Sequence, residues 1–144
     1  MDLMKRNGGK MERKLKLVSK APAVDSPVIF EERPWGNFKV LEEGAEYKVK
    51  RIEVFPLRRL SYQKHKFRAE HWYIVQGTAK VTLEDRISVV KAGESVDIAV
   101  GDSHRVENPE AAKTLIFIEV QRGGYLGEDD IIRLSDDFGR VAPA

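Results

Sequence analysis

Three histidines occur in the whole chain, and two of them, His65 and His104, lie at the ends of strand-like segments close to glycines. Imidazoles so placed invite a search for partner donors. Gln63 lies two positions before His65, and on one strand residues two apart point to the same face, which suits two ligands of one ion. Glu70 follows His65 by five positions, and an odd separation would put it on the opposite face of an uninterrupted strand. If both bind one ion, the chain must turn or bulge within Lys66–Ala69. Beyond that break Glu70, Trp72 and Ile74 would face inward, while His71, Tyr73 and Val75 face out. Imidazole, carboxylate and amide oxygen together suit one borderline or harder divalent cation: zinc first, with manganese, cobalt or iron(II) as alternatives. The chain has no cysteine, which excludes thiolate ligation, iron–sulfur clusters and disulfides. Gln63, judged on composition alone, would be a surface residue, and His71 reads as a satisfied polar side chain on a strand.

The elements that must position these residues are short and β-type. From about residue 28 onward, runs of strand-forming residues are broken by turn residues, as a sandwich or barrel requires. Expected strands are Gly36–Leu41, Glu46–Val54, Arg59–Gln63, Glu70–Gln76, Thr78–Leu83, Arg86–Val90, Ser95–Ala99, His104–Glu107 and Thr114–Gln121. Asp129–Leu134 is expected to form one short helical turn, with an acid near its start where the helix dipole favours negative charge. At 144 residues the chain suffices for one domain with one core.

Charge is distributed unevenly. Residues 1–20 hold seven Lys and Arg against two acids, so the basic character belongs to the start of the chain. Residues 1–27 therefore read as a basic, flexible extension and 28–144 as the folded domain. Lys10, Arg13, Lys14 and Lys16 interrupt any signal-peptide core, and no apolar run approaches the ~20 residues that span a bilayer. A cytoplasmic protein that engages neither membrane nor nucleic acid is expected, since the basic stretch lacks interleaved aromatics.

Residue by residue, the chain resembles the two motifs of the cupin superfamily. The first runs Gly, five residues, His-x-His, three or four residues, Glu, six residues, Gly; here it reads Leu57, Gln63-x-His65, Glu70, Gly77. The second runs Gly, five residues, Pro-x-Gly, two residues, His, three residues, Asn; here it reads Gly93, Ala99-x-Gly101, His104, Asn108. Leu57, Gln63 and Ala99 depart from the pattern. The resemblance implies an all-β cupin fold, a double-stranded β-helix or jelly-roll barrel. It also implies a metal set of Gln63, His65, Glu70 and His104, and a homodimer.

Further segments are similar to a narrower family, the type II mannose-6-phosphate isomerases, often fused to a mannose-1-phosphate guanylyltransferase. They include Arg33-Pro34-Trp35-Gly36, Tyr47 to Ile52, Arg68 to Trp72, Ile118 to Gln121, and Gly124 to Ile131. This resemblance accounts for Gln63 as a family feature. It implies a metal-dependent isomerase that interconverts mannose 6-phosphate and fructose 6-phosphate. The alternative is a metal-holding cupin that binds a sugar or nucleotide sugar without isomerising it. Phe67 stands where the family pattern carries a histidine, and residues 1–30 show no Gly-rich nucleotide signature, so nucleotidyl transfer is not expected. A cupin dioxygenase is disfavoured because Gln63 breaks the usual three-histidine set.

An aldose–ketose isomerase needs a base with a pKa near the working pH, and Glu119, Lys50 and Glu70 are candidates. Residues 57–69 carry Arg58, Arg59, Lys64, Lys66 and Arg68 without an acid, a field that suits an anionic substrate. Arg68, at the expected break, is the residue expected to touch substrate and take part in catalysis, with Arg133 and Arg140 as further phosphate contacts.

Overall fold

The computed structural model describes residues 29–141, so the extension expected over 1–27 lies outside the described residues. Eleven strands follow one another: β1 (Phe30–Arg33), β2 (Gly36–Glu43), β3 (Tyr47–Val54), β4 (Tyr62–Lys64), β5 (Arg68–Gln76), β6 (Thr78–Leu83), β7 (Arg86–Lys91), β8 (Ser95–Ile98), β9 (His104–Glu107), β10 (Leu115–Gly123) and β11 (Ile132–Ser135). They form a six-stranded sheet in the order β1-β2-β3-β10-β5-β8 and a five-stranded sheet in the order β11-β4-β9-β6-β7. Every pairing is antiparallel.

The central strands alternate buried and open positions, as strands with one face on a core must. Along β3, Lys48, Lys50, Ile52 and Val54 turn inward; along β10, Leu115, Phe117, Glu119 and Gln121 do so; along β5, Glu70, Trp72 and Ile74. This interior changes character at one level. Ile52, Val54, Leu115, Phe117, Trp72 and Ile74 join Val81 and Val106 of the other sheet in the hydrophobic core, where truncating a large side chain costs ~3–5 kcal/mol. Toward the other end the same strands bury Lys48, Lys50, Glu70, Glu119 and Gln121. Buried polar side chains cost free energy unless paired, so five adjacent ones mark where the fold gives up stability for chemistry.

Two sequence-based expectations are corrected and one strand is added. The sheets do not close into a barrel: β1, β8, β11 and β7 are edges, and none pairs with another. Closure here is by side-chain packing between two facing sheets, not by a continuous ladder of hydrogen bonds. The short helical turn expected over Asp129–Leu134 is absent, and the described residues contain no helix. β-Branched Ile132 and its neighbour Arg133 instead pair with Lys64 and Gln63 of β4, while Asp130 spends its carboxylate on the backbone of Lys66 and Phe67 rather than on capping its own turn. The strand β1 was not foreseen; Pro34 and Gly36 signal the turn that returns it onto β2, but its polar composition hides it.

Leu57 has φ of 59°, in the left-handed region that favours glycine. It stands at the position where the cupin pattern has glycine. Gly77, between β5 and β6, has φ of 85° and supplies the reversal that its place in the first motif implies.

Candidate metal centre

His65 follows directly on β4, Glu70 lies on β5 and His104 opens β9, so the two sheets both contribute. The break expected between His65 and Glu70 is present: β4 ends at Lys64 and β5 begins at Arg68. One donor atom from each of His65, Glu70 and His104 lies within 4.8 Å of the others, and all three residues are buried. Gln63 sits opposite His104 across the β4–β9 pairing, with its amide nitrogen 3.5 Å from His65 Nε2. Its oxygen accepts from Ser61 Oγ at 2.7 Å. Rotating this amide by half a turn would aim the oxygen at the cluster, and the Ser61 hydroxyl can then accept instead of donate.

Both imidazoles are held by backbone carbonyls. His65 Nδ1–H donates to the Asp130 carbonyl at 2.5 Å and His104 Nδ1–H to the Asp102 carbonyl at 2.8 Å. Each Nε2 is thereby left with a lone pair facing Glu70, the arrangement by which second partners orient histidine ligands. Burial holds His104 below the ordinary histidine range, although the Glu70 charge opposes this, so the ring is neutral at pH 7. Burial would raise Glu70, but its contact with the His65 ring, together with the neighbouring His104 ring and the Arg68 guanidinium, outweighs it and keeps the carboxyl well below its usual range.

The residues fit a cation. His104 Nε2 is buried without a hydrogen-bond partner, and it faces a carboxylate oxygen at 3.6 Å. Two imidazole nitrogens and a carboxylate, with an amide within reach, are the donors that a zinc, manganese, cobalt or iron(II) ion takes.

Beside this cluster lies a cavity whose wall includes Gln63, Arg68, Glu119, Lys50, Arg133 and Arg140. Arg68 links the two: its Nε donates to Glu70 Oε1 at 3.0 Å, its Nη2 lies 3.3 Å from His65 Nε2, and its Nη1 is buried and unpartnered. Arg133 sits opposite Gln63 across the β4–β11 pairing, and its Nε is also buried without a partner. Arg140 is already held by Asp136 through two hydrogen bonds of 2.9 Å. Lys50 contacts Glu128 and lies 4.1 Å from the centre of the Phe38 ring.

Glu119 faces Lys50 on β3 and Trp72 on β5 in the strand register. Its Oε1 accepts from Gln121 at 2.6 Å and its Oε2 from Trp72 at 3.1 Å. Burial first, and then the Glu70 charge, push this carboxyl up to about 7 against the pull of Lys50 and Arg68.

Reading the sequence alone missed Asp130, Glu128 and the donor role of Trp72. For Asp130 the signal was present, an acid inside the Gly124–Ile131 segment, but assigning a helical turn there concealed it. Phe67 is more than half exposed and packs edge-on against Tyr125, and it does not line the cavity. Asn108 of the second motif is no ligand; it donates to the carbonyls of Val54 and Lys113 at 3.0 and 2.8 Å.

Among solved structures, the fold is similar to oxalate decarboxylase from Bacillus subtilis, with a TM-score of 0.66 at 20% identity over 76% of this chain and 30% of that one. It is also similar to the capsular polysaccharide assembling protein CapF from Staphylococcus aureus, with a TM-score of 0.64 at 20% identity over 76% of this chain and 34% of that one. An RmlC-like cupin from Shewanella frigidimarina matches with a TM-score of 0.62 at 20% identity, over 72% of this chain and 88% of that one. These likenesses establish a cupin-like fold. In sequence, a mannose-1-phosphate guanylyltransferase of Salmonella montevideo is 44% identical over 91% of this chain and 27% of its own length. That of Escherichia coli K12 is 48% identical over 76% and 23%, and the alginate biosynthesis protein AlgA of Pseudomonas aeruginosa is 47% identical over 76% and 23%. The chain thus spans about a quarter of the length of these relatives. Residues 28–136 match the family described as mannose-6-phosphate isomerase C-terminal, and the chain belongs to that family.

Proposed function

We propose that this chain is a cupin-like module, residues 28–144, that holds one divalent cation on His65, Glu70 and His104 with Gln63 as a fourth ligand, and binds a phosphorylated sugar beside it. The observation that carries the reading is the buried, unpartnered Nε2 of His104 facing Glu70. A phosphate carries nearly two negative charges and is matched by guanidinium groups. Arg133 and Arg68 each have a buried N–H without a partner at the cavity wall. A bound cation would supply Lewis-acid polarisation of a sugar oxygen.

Calorimetry on cobalt- or zinc-loaded protein tests this directly. Fructose 6-phosphate and mannose 6-phosphate should bind, unphosphorylated fructose should bind at least tenfold more weakly, and Arg133→Met should remove most of that preference. Equal affinity for the phosphorylated and free sugars would refute the phosphate assignment.

Interconversion of mannose 6-phosphate and fructose 6-phosphate is a second reading, favoured by Glu119. An aldose–ketose isomerisation moves a proton between C1 and C2, and a carboxyl titrating at about 7 is suited to take and return it. Lys50 and Arg68 flank Glu119 and would stabilise its ionised form. A coupled assay without turnover on the metal-loaded protein, with sugar binding intact, would leave the binding function alone standing.

A further inference from the structure

Asp130 is 7% exposed and makes contact with three consecutive residues of the segment that bears the metal ligands. Its carbonyl accepts from His65 Nδ1 at 2.5 Å, its Oδ1 from the Lys66 amide at 2.9 Å and its Oδ2 from the Phe67 amide at 3.0 Å. Those three residues make the chain reversal that lets His65 and Glu70 face one point. Lys66 and Phe67 are exposed, and among the described residues the edge-on contact of Phe67 with Tyr125 is the only aromatic packing their side chains make at the reversal. Asp130 itself is fixed from the other side: its amide donates to Gly127 at 3.1 Å, Lys48 Nζ donates to the Leu126 carbonyl at 3.1 Å, and Lys50 contacts Glu128. Glu128 and Ile131 line the cavity. The segment that forms one wall of the cavity therefore also sets the tautomer of one candidate ligand and the turn between two of them.

We infer that Asp130 is a positioning residue that couples the Gly124–Ile131 cavity wall to the cation site, so that affinity for the cation is set from the wall of the sugar cavity. This rests on the metal-holding reading above. Such coupling is reciprocal: whatever orders the wall tightens the cation site, and the cation in turn orders the wall. Oriented histidines typically lose 10- to 100-fold in metal affinity when the partner that orients them is disturbed.

The test compares wild type, Asp130→Ala, Asp130→Asn and the control Glu42→Ala, an exposed acid on β2 whose side chain bonds only Tyr47 among the described residues, each stripped of metal and titrated with cobalt(II). Asp130→Ala should weaken cobalt binding about 10- to 100-fold, Asp130→Asn should fall between, and Glu42→Ala should match wild type. Nitrogen-15 spectra of the metal-free proteins supply a second readout. In Asp130→Asn, which keeps the residue-130 carbonyl but weakens the side-chain bonds to the turn, the Lys66 and Phe67 amides should exchange faster with solvent and the His65 ring signals should shift as its seat loosens, while the His104 ring keeps its signature. Asp130→Asn carries the test if Asp130→Ala fails to fold. Wild-type cobalt affinity in Asp130→Asn, with an unchanged His65 spectrum, would overturn the role of Asp130. Absence of cobalt binding by wild type would instead overturn the metal-holding reading itself.

Discussion

Glu70 and Glu119 share one proton donor: the indole N–H of Trp72 lies 3.0 Å from Glu70 Oε2 and 3.1 Å from Glu119 Oε2. One carboxylate is a candidate cation ligand and the other the candidate base, so Trp72 ties the two halves of the site. Trp72→Phe keeps most of the packing and deletes that donor. Leaving buried carboxylate oxygens short of a partner costs ~1–3 kcal/mol, and urea denaturation of the metal-free protein should show a loss of that size. A loss below about 0.5 kcal/mol would mean that the shared hydrogen bond carries no weight.

Glu119 also makes stability depend on pH in a definite direction. Its folded pKa is raised to about 7 from 4.5, so the unfolded chain releases this proton first. The stabilising contribution is full below pH 4.5 and is lost as pH rises to about 7, by at most about 3 kcal/mol. The groups facing it are Lys50, Arg68, Glu70, Trp72 and Gln121. In chelator-treated protein, Glu119→Gln should remove this fall between pH 4.5 and 7, which denaturation at a series of pH values will reveal; an unchanged slope would show that Glu119 titrates normally.

Metal removal should be felt across both sheets, because His104 belongs to one and Glu70 to the other. Elemental analysis should find one divalent ion per chain, and a chelator should lower the melting temperature of wild type. A ligand present at a hundred times its dissociation constant adds about 2.7 kcal/mol, enough for a shift of several degrees. His104→Ala should abolish the chelator effect. If it melts with the same chelator-dependent shift as wild type, the ion is held elsewhere.

Leu57→Gly should stabilise the protein. Leucine at φ of 59° bears a left-handed penalty of ~1–2 kcal/mol, partly offset by the greater freedom glycine has when unfolded. The net gain expected is about 0.5–1 kcal/mol in urea denaturation. Leu57 is 65% exposed, so little packing is lost, and any destabilisation would contradict the strain argument.

The nine strands expected from alternation and turn residues each overlap an observed strand, because those segments bury one face and their sequences carry the period of two. The strands β1 and β11 were not legible: each is four residues long, β1 is rich in charge and β11 follows an acidic stretch that reads as a helical turn, and only their partners hold them extended. Parity reasoning located the break between His65 and Glu70. It could not reveal Asp130, whose contact lies more than sixty residues away along the chain. Nor could it reveal that Arg140 is engaged by Asp136, which leaves Arg133 the freer guanidinium of the two.

The outer strand of the smaller sheet has its own consequence. Strand β7 pairs only with β6 and leaves Ile87 and Val89 64% and 58% exposed. An apolar border with free backbone donors and acceptors is a template for strand addition by another molecule. Arg86 and Lys91 bracket it with like charge, the usual guard against such stacking. Because salt screens that guard, oligomers joined along this border should accumulate at high protein concentration and high ionic strength, and an acid in place of Val89 should keep the chains apart.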